Sequence, residues 1–382
     1  MFIGLGMNMV RGGAFFSPSS LFAMSEPGAW YDPSDITTLW QTSGGVTPVS
    51  AAGQPVGLML DKSQGLASTT SFANIGTVST AGAPGTIATY NTSTGVGSAF
   101  RLDGTNTSGV KFAVNTTNYI KINIDVTAGS VSGINIRNSI TGVILAAIPS
   151  ALGNYTAYVQ TTTNNIFITA AAAGVVNFTV NSMVDVLGNH AAQSISANRP
   201  TYQVDGSGRQ YLLFDGSLSG MLTSAITPGT NKSQIFSGIT KLSDAARGMV
   251  AEMGTGASPA SIYLSAPPVG ITGYEFSSYG TSQAIATDSN DPAPLTSVLT
   301  GIGSIPDSQC VLRVSAVQKA SDPSTQGTGN YAANPLYIGR RGGTAWPFNG
   351  NLYSLIVRFG ESLSSDQITS TENWVNGKTG AY

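Results

Sequence analysis

The clearest periodic signal in the chain is the run Tyr119-Ile120-Lys121-Ile122-Asn123-Ile124-Asp125-Val126. Its apolar and polar residues alternate with a period of two, which predicts a strand with Ile120, Ile122, Ile124 and Val126 turned inward. Asn165–Thr169 and Val175–Val180 repeat the pattern. From residue 188 onward the same kind of segment returns at Gln210–Phe214, Gln234–Ile239, Ser261–Leu264 and Cys310–Val314. Leu352–Arg358 is apolar nearly throughout and predicts a central strand. Gly, Asn and Ser turns punctuate these segments, as in an antiparallel sandwich. The polar stretch Asp322–Pro335 predicts a loop.

Two places carry helical signals. Asp32-Pro33-Ser34-Asp35 predicts a short helix with Asp32 as cap, Pro33 at the first position, and Ile36, Leu39 and Trp40 on one face. Ser364-Ser365-Asp366-Gln367 is a capping box that opens a terminal helix with Ile368, Thr371, Trp374 and Val375 as its buried stripe.

The texture of the chain changes after Leu60-Asp61-Lys62-Ser63-Gln64-Gly65 and changes back at Leu187-Gly188-Asn189-His190-Ala191. This predicts one β-domain inserted in a loop of another: an outer domain of 27–64 and 188–382, and an insert of 65–187. The fold class is all-β, two antiparallel β-sandwiches with short peripheral helices. Residues 1–26 read as an assembly arm. Its apolar Phe2, Ile3, Leu5, Met7, Phe15 and Phe16 are expected to order against a neighbouring subunit, because an isolated monomer would expose them.

Composition narrows the function classes. Only 9% of residues are charged although 41% are hydrophobic, so a core can form while Ser, Thr, Asn, Gln and Gly supply the polarity. An average globular chain is roughly 25% charged. A formal charge of −2 gives no basic footprint for nucleic acid. Weak like-charge repulsion favours close packing of copies, hence a homo-oligomer. No stretch reaches the roughly 18 apolar residues of a membrane span, and the glycine-broken N-terminus lacks the basic start of a signal peptide. The lone Cys310 cannot form an internal disulfide, and one histidine makes a zinc site improbable.

Phe214-Asp215-Gly216, Tyr337-Ile338-Gly339 and Phe348-Asn349-Gly350, followed by a strand and a capped terminal helix, resemble the concanavalin A-like (laminin-G-like) jelly-roll family. Gly350 is read there as the positive-φ residue of an Asn-Gly turn. Gly28-Ala29-Trp30-Tyr31-Asp32-Pro33-Ser34-Asp35, Gly53–Ser63 and Gly188-Asn189-His190-Ala191 resemble a group of tailed-bacteriophage virion proteins. In simpler members the last two phrases run together. Here they are parted by an insert that looks like a carbohydrate-binding-module sandwich. The resemblance implies a structural protein on the tail or capsid exterior, made in the host cytoplasm. It would bind other virion proteins through the arm and host-surface polysaccharide through its lectin-like sandwiches. A capsid decoration or head-fibre role is the alternative, and a trimer is the assembly that phage appendages imply.

Enzyme chemistry finds no support in the motifs. The closely spaced acidic residues of the glucanase members are missing, and Glu252 and Glu275 stand alone. His190 is read as structural, with Asp61 and Asn189 as its partners at the insertion junction. Arg340 and Arg341 are read as holding their loop. No cofactor is expected; calcium stays open, although Asp205, Asp215 and Asp307 form no dense loop. Sugar binding needs aromatic faces and planar polar groups. Tyr274, Phe276, Tyr279 and Trp346 are the candidates in the outer domain, and Tyr90, Phe100 and Tyr155 in the insert.

Overall fold

The structure, a computed structural model, describes residues 16–66, 77–80, 87–89, 99–102, 108–114, 118–128, 130, 132–139, 141–172, 174–254 and 258–382. Among the described residues the architecture is all-β: four antiparallel sheets and one α-helix, with a few turns of 3-10 helix.

Among the described residues, the strands between 77 and 186 pair with one another and with no strand outside that range. One five-stranded sheet runs in the order Gly153–Val159, Tyr119–Val126, Val176–Val186, Ala99–Leu102, Ile87–Thr89. The other runs Ile144–Ile148, Ile134–Arg137, Asn165–Ala170, Ser108–Ala113, Thr77–Thr80. The inward alternation of Ile120, Ile122, Ile124 and Val126 meets Ile134, Ile136, Ile166 and Ile168 from the opposite sheet in one buried cluster. Each such side chain contributes about 1.5–3 kcal/mol by leaving water. We call this unit the inner sandwich.

The flanking segments build the outer sandwich. Its first sheet is centred on Asn349–Phe359, which pairs with Lys232–Lys241 on one side. On the other side it pairs first with Gln210–Asp215 and then, further along, with Gly28–Tyr31. Apolar residues fill this strand because both of its faces are covered: Leu352, Leu355 and Val357 enter the inter-sheet core, while Ile356 lies beneath the terminal helix. The second sheet has nine strands, from Leu39–Trp40 through Leu58–Met59, Ala191–Ala192, Met221–Ile226, Asn334–Ile338, Met249–Met253, Ser261–Ser265 and Tyr274–Tyr279 to Gln283–Asp288. Met59 lies opposite Ala191, so the chain leaves this sheet and re-enters it beside its own exit.

The terminal helix, Ser365–Thr379, opens with the capping box read from the sequence. Ser364 Oγ accepts from the Gln367 N–H at 3.3 Å, and Gln367 Oε1 accepts from the Ser364 N–H at 3.0 Å. Val375 is buried, with Ile368 and Trp374 packed against the same cluster, and Leu21, Phe22 and Phe16 join it from the N-terminal side. Phe16 therefore packs on its own chain; Phe2, Ile3, Leu5, Met7 and Phe15 lie outside the described residues.

Two local expectations are corrected. No α-helix follows Asp32. Ile36–Thr38 forms a single 3-10 turn, and Leu39–Trp40 is already strand. The Asp32 carboxylate accepts from the Ser34 N–H at 3.2 Å and Ser34 Oγ at 2.5 Å and pairs with Lys378 at 3.1 Å, so it closes a turn and ties it to the terminal helix rather than capping a helix. Gly350 is not a turn residue either. It is the second residue of the central strand, where a side chain would collide with the Thr240 carbonyl and the Phe348 ring. The left-handed residues in that loop are Gly339, Gly342, Gly343 and Trp346, the last at φ +48°.

Candidate functional site

The insertion junction is built around Asp61, which is fully buried. Its Oδ1 accepts from the backbone N–H groups of Trp30 and Ser63, each at 2.8 Å. Its Oδ2 accepts from the Asn189 N–H at 2.7 Å and from Ser63 Oγ at 2.8 Å. Burial pushes the Asp61 carboxyl up, and these donors oppose that. The Asp61 N–H donates to His190 Nδ1 at 2.9 Å, which places the imidazole proton on Nε2. Asn189 Nδ2 donates to the Gly28 carbonyl at 2.7 Å, and the Tyr31 hydroxyl donates to the Asn189 carbonyl. Burial pushes the His190 imidazole down to about 3, so it is neutral near pH 7. Its ring meets Tyr119 of the inner sandwich edge-on at 4.9 Å. The structure thus brings Asp61, Asn189 and His190 together in one buried hydrogen-bonded junction. Gly188 is required here: its φ is +125°, and a Cβ would sit 3.0 Å from Asp61 Oδ2.

The four aromatic residues proposed for sugar binding in the outer sandwich do not form a site. Tyr274 and Phe276 are fully buried in the inter-sheet core, with the Tyr274 hydroxyl bonded to Ser297 Oγ at 2.9 Å. Trp346 is half-buried, and its ring is occupied: the Arg247 and Arg341 guanidinium carbons lie 4.1 and 3.9 Å from its centroid. The arginines are themselves held, Arg341 by Glu252 at 2.8 Å and Arg247 by Glu275, whose carboxylate also accepts from the Tyr263 hydroxyl at 2.7 Å. Arg340 donates to the Leu218 and Thr344 carbonyls. This group clamps the loop of Arg340 to Trp346 over the second sheet. Tyr279 is half-buried on that sheet's outer face, apart from the other three.

An open site exists where the two sandwiches meet. The loop after Trp40 reaches across to the inner sandwich, where the Tyr158 N–H donates to the Gly44 carbonyl at 3.0 Å. Close approach explains the glycine pair: a Cβ on Gly44 would sit 2.5 Å from the Leu145 carbonyl oxygen, and one on Gly45 would sit 2.8 Å from Tyr158 Cβ. Trp40 stacks obliquely on Tyr158, with centroids 5.1 Å apart. Below them Leu58, Leu60, Tyr119, Tyr158 and Val186 bury one shared apolar cluster. Beside this contact lies a cleft of about 430 Å³, walled by Trp40, Val46, Thr47 and Pro48 from the outer sandwich and by Pro149, Asn154, Tyr155 and Thr156 from the inner one.

The outward positions of the same inner sheet extend the cleft as a polar face. Asn123 and Asn154 exchange amide hydrogen bonds at 2.7 and 2.8 Å. Asn154 also donates to Asp125 Oδ1 at 2.7 Å, and Asn181 donates to Asn123 Oδ1 at 2.9 Å. Hydrogen bonds from Asn181 and Asn154 hold the Asp125 carboxyl below the usual carboxylate range. Of the residues proposed in the insert, Tyr155 lines the cleft, Tyr90 lies outside the described residues, and the side chain of Phe100 does also. Trp40 was missed as a cleft residue because its helical reading assigned it to a packing face. Asn123 and Asp125 were visible as the polar half of the alternation in Tyr119–Val126.

Asp205 and Asp215 close turns: Asp205 accepts from the Ser207 and Arg209 N–H groups, and Asp215 from those of Ser217, Leu218 and Ser219. Among the described residues no three His, Cys, Asp or Glu side chains come together as a metal site. Cys310 is buried, and burial pushes its thiol up to about 12.

No protein-family model matches the chain, and no curated protein matches it. Similar solved structures include the Trypanosoma rangeli sialidase in complex with the inhibitor DANA, at 13% identity and a TM-score of 0.35 over 48% of this chain and 29% of that one. They also include the Ruminococcus gnavus sialidase CBM40 bound to α2,3-sialyllactose, at 15% identity and a TM-score of 0.30 over 41% and 99%. A third is botulinum neurotoxin type C, in a study of its interaction with two ganglioside molecules, at 10% identity and a TM-score of 0.34 over 51% and 49%. The aligned region spans less than half of the sialidase and toxin chains. At these TM-scores the likenesses carry no conclusion about what this chain binds.

Proposed function

We propose that this chain is a non-enzymatic structural protein of a tailed-phage particle, and that it contacts host-surface glycan through the cleft between its sandwiches. The observation that carries the glycan reading is the placement of Trp40 in one cleft with Asn154, which is tied into a face of planar amides. Sugar recognition uses that combination: an apolar surface for the ring and fixed polar groups for its hydroxyls. The virion reading is supported by the phrases Gly28–Asp35, Gly53–Ser63 and Gly188–Ala191, and by a surface sparse in charge. On this reading no cofactor is needed. Residues 1–26 join the chain to other virion proteins, and tail or fibre is the preferred location.

Two experiments test the two halves. Binding of the purified protein to immobilised host polysaccharide, lost in Trp40→Ala, supports the glycan role; absence of binding removes it. Cryo-electron microscopy of the intact particle tests the location. Density at the tail supports host attachment, density on the capsid favours the decoration role, and absence from the particle removes the virion reading.

A further inference from the structure

The amide face beside the cleft is one-sided in its hydrogen bonding. Asn154 uses both amide hydrogens, on Asn123 Oδ1 at 2.8 Å and Asp125 Oδ1 at 2.7 Å. Asn123 directs its amide hydrogens to Asn154 Oδ1 at 2.7 Å and to the Tyr155 carbonyl at 3.3 Å, with Thr156 Oγ1 at 3.4 Å. Asn181 donates to Asn123 Oδ1 at 2.9 Å and also to the Asp125 carboxylate. With the amide N–H groups engaged internally, the network offers a ligand acceptors: the Asp125 carboxylate and the Asn181 carbonyl oxygen. Asn154 and Asn181 are exposed and Asp125 is half-buried, so these acceptors are accessible. No cation pairs with Asp125 among the described residues. Lys121, four positions away on the same strand, has its ammonium 5.9 Å from the Tyr158 ring centroid.

We infer that the cleft selects uncharged polysaccharide, with Asp125 as its specificity-determining residue, reading sugar hydroxyl donors and turning away anionic sugars. This rests on the glycan reading above and names its substrate class. A hydroxyl donating to a carboxylate forms a charge-assisted bond, roughly twice as strong as a neutral one. A sugar carboxylate at the same place would meet a like charge, with no amide N–H left to receive it. The Trp40 ring serves any pyranose ring, so the discrimination falls to the acceptor face.

The test titrates the full chain calorimetrically with dextran and mannan as neutral probes, and with hyaluronan and polygalacturonate as anionic ones, at one low ionic strength. Wild type is expected to bind at least one neutral probe and neither anionic one. Asp125→Asn keeps the shape and the acceptor for Asn154. It is expected to weaken the neutral probe about tenfold, as loss of one charge-assisted bond implies, and to bring anionic binding into range. Circular dichroism verifies that the variant is folded. Anionic binding as tight as neutral binding in wild type overturns the inference while leaving the cleft reading intact, provided that Trp40→Ala abolishes it. An unchanged profile in Asp125→Asn overturns the role of the carboxylate. Failure of all four probes counts against the glycan reading itself.

Discussion

Trp40 of the outer sandwich lies against Tyr158 of the inner one, ring centroids 5.1 Å apart and planes inclined at 52°. This contact joins residues 118 positions apart and sets one wall of the cleft. Gly45 makes it possible, at φ +59° and with no room for a Cβ against Tyr158. Gly45→Ala is expected to cost about 1–3 kcal/mol through strain and overpacking. Calorimetry should show a lower melting temperature, and glycan affinity should fall with it. An unchanged melting temperature would mean that the loop is not pinned as described.

Asp61 accepts four hydrogen bonds in a buried site, three of them from backbone N–H groups. In Asp61→Asn an amide NH₂ must face at least one of those donors. The expected loss is about 1–3 kcal/mol, the usual penalty for a buried group left unsatisfied. Denaturant melts of the variant measure it; a loss within a few tenths of a kcal/mol would show that the junction tolerates the exchange.

The single histidine provides a clean pH probe. Burial sets the folded pKa of His190 at about 3, below the ordinary value of 6.5. The unfolded chain therefore binds the proton more readily. The His190 contribution to stability is full above pH 6.5 and is lost as pH falls from 6.5 toward 3. The slope in that window reaches about 1.4 kcal/mol per pH unit. The imidazole resonances should not titrate between pH 8 and pH 5, and stability should decline from pH 6.5 to pH 5 in wild type but less in His190→Gln. A midpoint near 6.5 would contradict the burial.

Asp291 behaves in the opposite sense for a carboxyl. Burial and the neighbouring Asp288 raise its pKa, so the folded state holds the proton more tightly than the unfolded one. Its ionisation costs stability as pH rises through that raised value. Asp291→Asn is expected to raise the melting temperature at pH 7, with the gain vanishing in acid where Asp291 is already protonated. A lower melting temperature at pH 7 would show that the carboxylate serves the Lys319 contact at 3.8 Å more than it harms the site.

Much of the fold was legible because local physics decides it. The alternation in Tyr119–Val126 and the capping box at Ser364 each determine their element within a few residues. The same rule also contained the correction to two sugar candidates. In Tyr274–Tyr279, alternation puts Tyr274 and Phe276 on one face and Glu275, Ser277 and Tyr279 on the other, so both aromatics cannot be outward if either is core. The occupation of Trp346 was not legible, because Arg247 and Arg341 come from separate segments and only the fold stacks them. The cleft was hidden for the same reason: Trp40 and Asn154 are brought together by the docking of one sandwich on the other.

The most direct test of the cleft compares Trp40→Ala with Trp346→Ala, titrating each against the neutral polysaccharide that wild type binds. The account predicts that Trp40→Ala loses binding at least tenfold while remaining folded, because a stacking wall is removed. Trp346→Ala should lower the melting temperature and leave affinity unchanged, since its ring packs against Arg247 and Arg341 and lies outside the cleft lining. The reverse pattern, with affinity lost at Trp346 and kept at Trp40, would contradict the assignment of the cleft as the glycan site.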